Sequence, residues 1–83
     1  MELKDTISLM TSKDYKERFL AEYMQLKIRY NKLMTMCETW DEGNLSFVPT
    51  CSREMYDIQL EAMRKYLSCL EARSVKEGID LPI

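Results

Sequence analysis

The sequence predicts an all-α fold: an antiparallel two-helix hairpin with a short N-terminal helix, assembled as a homo-oligomeric helical bundle. Three observations carry this expectation. Two long stretches, 13–39 and 53–77, contain no Gly or Pro and repeat their apolar residues at heptad spacing. Only two Gly and two Pro occur in 83 residues, too few turn formers for a β-rich chain. The apolar faces of both stretches are also wider than two helices packed on each other can hide.

Residues 1–11 are expected to form a short amphipathic helix with Leu3, Ile7 and Met10 on one side. A helix this short needs tertiary support. Thr11 and Ser12 are cap candidates for the next helix, and Asp14, three residues after Thr11, makes a partial capping box.

The first long helix is expected over 13–39. Phe19, Tyr23, Leu26, Tyr30, Leu33, Cys37 and Trp40 step alternately by four and three, the clearest periodicity in the chain. Leu20, Met24 and Ile28 form a second stripe on nearly the opposite side. One stripe can pack the other long helix; the second requires a different partner.

Residues 40–52 read as a loop. Asp41-Glu42-Gly43-Asn44 is turn chemistry. Leu45, Phe47 and Val48 are expected to fold back over the hairpin end, and Thr50 or Ser52 to cap the following helix. That helix, 53–77, carries the seam Tyr56, Leu60, Met63, Leu67 and Leu70. Met55, Ile58, Ala62, Tyr66 and Cys69 widen it to roughly half the circumference or more. Gln59 and Arg73 are the polar exceptions inside this arc. Gly78 closes the helix and 78–83 form a short tail. The spare apolar faces predict self-association or a permanent partner, since two helices alone bury too little surface to offset chain entropy.

The composition narrows the function. The chain has no histidine, so no Ser-His or Cys-His nucleophile pair, and no Gly-rich phosphate loop. No enzyme and no cofactor are expected. Cys37, Cys51 and Cys69 include no C-x-x-C pair, which speaks against zinc. The expectation is reduced structural thiols; Cys37 and Cys51 flank one loop, which leaves an oxidised pair open. A net charge of −2 gives no global attraction for polymeric nucleic acid or anionic lipid. No apolar run approaches the ~20 residues that span a bilayer, and the N-terminus lacks a signal-peptide core. A cytosolic protein is expected.

Binding is the better reading. Basic and aromatic residues interleave along the first long helix: Tyr15, Lys16, Arg18 and Phe19, then Tyr23, Lys27, Arg29 and Tyr30. Arg18, Arg29 and Lys32 share the face beside Tyr15. An aromatic ring stacks a base and a guanidinium forks onto phosphate, which suits a nucleotide-like ligand. Against this stands the plainer reading of tyrosines as core seam and cations as solvated surface. Arg73 is a cation in an apolar arc. It calls either for an ion pair with a carboxylate of another helix or for a ligand phosphate at an oligomer interface.

Two segments carry a family resemblance. One runs Asp14-Tyr15-Lys16-Glu17-Arg18 through Glu22-Tyr23-x-Gln25-Leu26. The other is Gln59-x-x-x-Met63-x-x-Tyr66 through Leu70-Glu71-x-Arg73 and Glu77-Gly78-Ile79. Together they resemble a family of small phage proteins first noted in crAss-like phages. That family is similar to the helical-hairpin domain of phage anti-CBASS and anti-Thoeris sponges. The resemblance implies a non-catalytic oligomer that sequesters cyclic nucleotides or ADP-ribose-type immune signals at protomer interfaces in the host bacterial cytoplasm. On that reading Tyr15 stacks a base, with Lys16 beside it. Arg18, Arg29 and Arg73 hold phosphates, and Gln59 reads a polar edge. The alternative is a protein-binding adaptor or inhibitor that lays its open helix stripe against a host protein.

Overall fold

The computed structural model describes residues 1–82; Ile83, the end of the expected tail, lies outside the described residues. A 3-10 turn, Leu3–Thr6, runs directly into α1 (Ile7–Met10), followed by α2 (Tyr15–Asp41) and α3 (Arg53–Glu77). Among the described residues there is no strand. α2 and α3 pair along an elongated molecule of 43 × 24 × 20 Å. Their polarity is fixed at both ends. Tyr15 at the start of α2 meets Glu77 at the end of α3, and Asp41 at the end of α2 meets Arg53 at the start of α3. The helices are therefore antiparallel.

α2 starts later than expected, and the cap explains it. The Asp14 carboxylate, rather than Thr11 or Ser12, accepts from the Lys16 amide at 2.9 Å. The Ser12 hydroxyl instead donates to Glu17 at 2.5 Å and accepts from the Asp14 amide. α3 begins as expected, with Ser52 accepting from the Met55 amide. It ends at Gly78, whose φ of +67° is the left-handed conformation that favours glycine. The Ile79 amide then bonds back to the Ser74 carbonyl at 2.9 Å, turning Ile79 into the core.

That core lies at the end of the hairpin away from the loop. It joins Phe19, Tyr23 and Met24 to Leu67, Leu70 and Ile79, with Leu9, Leu20, Leu26, Tyr30 and Leu81 around them. The second stripe of α2 thus finds its partners within the chain: α1, the 3-10 turn and the tail.

The N-terminal segment corrects one expectation. Ile7 and Met10 are exposed, while Leu3 and Leu9 are half-buried and Thr6 is fully buried. The reason is the 3-10 start, whose three-residue turn brings positions 3, 6 and 9 to one side. The Thr6 hydroxyl donates to the Leu3 carbonyl at 2.7 Å and accepts from Gln25 at 2.8 Å, which settles its burial.

The loop is a second correction. Leu45 is half-buried, but Phe47 is 54% exposed and Val48 93%. The hairpin end is closed instead by Trp40 standing edge-on to Tyr56, with ring centroids 5.9 Å apart. Arg53 also bridges Asp41 and Asp57 there. All three cysteines are free. Cys37 is buried, whereas Cys51 and Cys69 are exposed, so only Cys37 acts as a packing residue. In α3, Leu67 and Leu70 are buried, but Met55 and Ile58 stand 58% and 65% exposed.

Candidate functional site

The N-terminus of α2 and the C-terminus of α3 bring four side chains together. Tyr15 and Phe19 lie one turn apart on α2; Arg73 and Glu77 lie one turn apart on the last two turns of α3. Arg73 Nη2 donates to the Tyr15 hydroxyl at 2.6 Å, and its Nε donates to Glu77 Oε2 at 2.9 Å. The Tyr15 hydroxyl donates in turn to Glu77 Oε1 at 2.6 Å. The guanidinium carbon lies 5.0 Å from the Phe19 ring centroid, within cation–π range. Phe19 is buried, while the Tyr15 ring, tilted against it at 6.4 Å, stays 47% exposed. The cluster therefore has a buried aromatic floor and an open aromatic wall.

Its charges reinforce one another. The hydrogen bond to Glu77 raises the Tyr15 phenol above its ordinary value, and Arg73 only partly offsets this. The Tyr15 hydroxyl and then the Arg73 guanidinium hold the Glu77 carboxyl below the usual carboxylate range. Glu77 raises Arg73 further. At neutral pH the cluster is a neutral phenol between a carboxylate and a guanidinium. Lys16 is adjacent, with Nζ 3.5 Å from the Gly78 carbonyl, where a cation favours the end of α3.

Two further contacts extend this polar edge along the α2–α3 seam. The Tyr66 hydroxyl bonds Glu22, which raises the phenol, and the Tyr23 hydroxyl donates to Glu71 at 3.2 Å. Burial is the first cause raising Tyr23.

The expected site residues thus divide. Tyr15 and Arg73 touch, and Lys16 stands beside them. Arg18 turns away: its Nη1 donates to the Ser12 carbonyl at 2.8 Å, tying the start of α2 to the preceding turn. Arg29 is exposed near the middle of α2, and Gln59 is exposed in the second turn of α3, toward the loop. Each lies about 21 Å along its helix from the Tyr15–Arg73 cluster, at 1.5 Å per residue. A single chain does not bring all six together. Arg73 is also corrected in its partner: its carboxylate comes from its own helix, not another. The i,i+4 spacing of Arg73 and Glu77 was a readable signal for this. The Glu22–Tyr66 contact has no such local signal, because it crosses between helices.

Among the described residues, no group of three or more acidic, Cys or His side chains could hold a metal ion. Among the described residues, no helix is long and apolar enough to cross a membrane.

Fold and site together define a small all-α hairpin protein with an aromatic–basic cluster where its long helices begin and end. Comparison with known families is specific: the Sequestin family model matches residues 13–76. The chain belongs to the Sequestin family, whose name denotes the sequestering of a molecule. The matched span contains most of both segments that carry the resemblance to phage hairpin proteins; Glu77-Gly78-Ile79 follows directly after it. No curated protein and no solved structure matches.

Proposed function

We propose that this protein is a non-catalytic phage protein that sequesters a cyclic nucleotide or ADP-ribose-type signal in the host bacterial cytoplasm, and so blunts anti-phage defence. Membership of the Sequestin family supports holding a molecule rather than converting one. The observation that carries the nucleotide class is the half-exposed Tyr15 ring beside Arg73 and Lys16. Tyr15 offers a stacking face for a base. Arg73 already uses Nε and Nη2, so an incoming phosphate meets Nη1 or displaces Glu77. Lys16 adds a second positive charge at the same edge. Arg18 joins only by releasing the Ser12 carbonyl. Arg29 and Gln59 reach the ligand only from a neighbouring protomer, which makes a homo-oligomer part of this reading.

Isothermal titration calorimetry with cyclic dinucleotides, cyclic trinucleotides and cyclic ADP-ribose isomers tests it. At least one is expected to bind stoichiometrically, and Arg73→Ala to weaken that binding about tenfold or more, as loss of a charge-assisted hydrogen bond does. No heat from any of them overturns the proposal.

A second reading has its own support. Met55 and Ile58 are exposed on α3, a surface an adaptor could lay against a host protein. A stoichiometric host protein recovered with the chain, together with silent calorimetry, favours that reading.

A further inference from the structure

The chain has five tyrosines, and two of them, Tyr15 and Tyr66, are exposed. Tyr23 is buried, and Tyr30 and Tyr56 are half-buried. The two exposed ones are built alike. Each stands on one long helix and carries its hydroxyl across to a carboxylate of the other. Tyr15 on α2 donates to Glu77 on α3, and Tyr66 on α3 donates to Glu22 on α2. The rings stay 47% and 45% exposed. The tethers hold each ring in one orientation, which lowers the entropy that a stacking ligand must remove.

The two rings stand on the same edge of the hairpin. Glu22 follows Tyr15 by seven residues on α2, and Tyr66 precedes Arg73 by seven on α3. Seven residues are close to two full turns, so the members of each pair share a face about 10 Å apart along the axis. Tyr15 and Tyr66 therefore cross the seam as two rungs about 10 Å apart. Arg73 lies between them. Its guanidinium donates to the Tyr15 hydroxyl and lies over the ring of Phe19, which falls between Tyr15 and Glu22 on α2. Among the described residues, its Nη1 makes no hydrogen bond.

We infer that Tyr66 is a second stacking ring, and that the two rungs with Arg73 between them form one slot for a ligand with two planar bases joined through phosphate. The inference rests on the nucleotide reading above and narrows it. A dinucleotide engages both rings at once, whereas a ligand with one base engages only one. The phosphate lies between the bases of such a ligand, as Arg73 lies between the rings. The two ends of the slot differ. Both Glu77 oxygens are already engaged, while Glu22 bonds Tyr66 through Oε2 and keeps Oε1 to accept from an amino group of the base stacked there. With one guanidinium nitrogen open and two carboxylates at the border, the anion adds little affinity, and stacking carries the discrimination.

Calorimetry with cyclic di-AMP and cyclic di-GMP as two-base probes and cyclic ADP-ribose as the one-base probe tests this. The wild type is expected to bind at least one two-base probe about fivefold or more tighter than cyclic ADP-ribose, the gain of one further stacked base. Tyr66→Ala is expected to remove that advantage and to leave cyclic ADP-ribose within about twofold. Tyr66→Phe keeps the ring and loses the hydroxyl, so it should keep the advantage. Circular dichroism should show Tyr66→Ala still helical, and Tyr66→Leu, which keeps bulk without a ring, repeats the test. Cyclic ADP-ribose binding as tightly as the two-base probes overturns the slot. So does an unchanged Tyr66→Ala, or a Tyr66→Phe that loses as much as Tyr66→Ala. Each of these leaves the sponge reading in place, because a nucleotide still binds. A wild type silent toward these three probes overturns the slot, and silence toward the whole nucleotide panel overturns both.

Discussion

Arg73 Nη2 donates to the Tyr15 hydroxyl at 2.6 Å, joining the last turns of α3 to the first residue of α2 across most of the chain. Glu77 closes the triangle by bonding both. The contact ties the two ends of the hairpin together at its edge, above the buried core of Phe19, Leu67 and Leu70.

This triangle predicts a two-sided pH dependence. The Glu77 carboxyl is depressed, so its contribution is present above the ordinary carboxylate value and lost as pH falls through the folded one. The Tyr15 phenol is raised, so its contribution is present below pH ~10 and lost as pH rises through the folded value. Urea midpoints measured from pH 3 to 11 should fall at both flanks. Glu77→Gln should reduce the acid flank without removing it, because Arg64 holds Glu61 below the usual carboxylate range as well, and Tyr15→Phe should reduce the alkaline one. The alkaline loss does not vanish in Tyr15→Phe, because Tyr23 and Tyr66 are raised as well.

Leu70 is almost fully buried in the contact between the helices, whereas Val48 is 93% exposed on the loop. Leu70→Ala should cost about 2–5 kcal/mol in chemical denaturation, from lost transfer energy plus the cavity left behind. Val48→Ala should stay within about 0.5 kcal/mol. Equal costs at the two positions would contradict this packing.

Thr6 is fully buried and its hydroxyl serves Leu3 and Gln25. Thr6→Val keeps the shape but removes the acceptor for the Gln25 amide. A loss of about 1–2 kcal/mol is expected. Hydrogen exchange should show faster opening of residues 3–10 while the α2–α3 amides keep their order of protection.

Gly78 stands at φ +67°, with nothing within 4 Å of where a Cβ would be. Gly78→Ala therefore meets no clash and carries only the left-handed backbone penalty, about 1–2 kcal/mol. A much larger loss would mean that the turn into Ile79 needs room as well as conformation.

Much of this architecture was legible in the residues. The Gly78 stop and a hydroxyl cap at Thr50 or Ser52, which the structure resolves to Ser52, follow from local hydrogen bonding and backbone sterics, which depend only on neighbours. The seam from Phe19 to Trp40 announced α2, and the start moved only because Asp14 outcompeted Ser12 for the cap. The N-terminal turn was less readable. A 3-10 start changes the period from 3.6 to three, and that choice depends on burying Thr6 against Gln25. Of the six expected ligand contacts, the Tyr15–Arg73 meeting was not readable, because heptad spacing says nothing of which residues on the other helix lie opposite.

By itself the sequence determined that there are two long helices, that Gly78 closes the second, and which side of each long helix is apolar. Those properties rest on backbone geometry and a rotation of about 100° per residue. Only the tertiary structure decided the axial alignment of α2 against α3. That alignment is set by the packing of Phe19 and Tyr23 against Leu67, Leu70 and Ile79, because side chains distant in sequence meet only where close packing lets them. It placed Tyr15 against Arg73 and Glu77, sent Arg18 to the Ser12 carbonyl, and left Arg29 and Gln59 about four turns away.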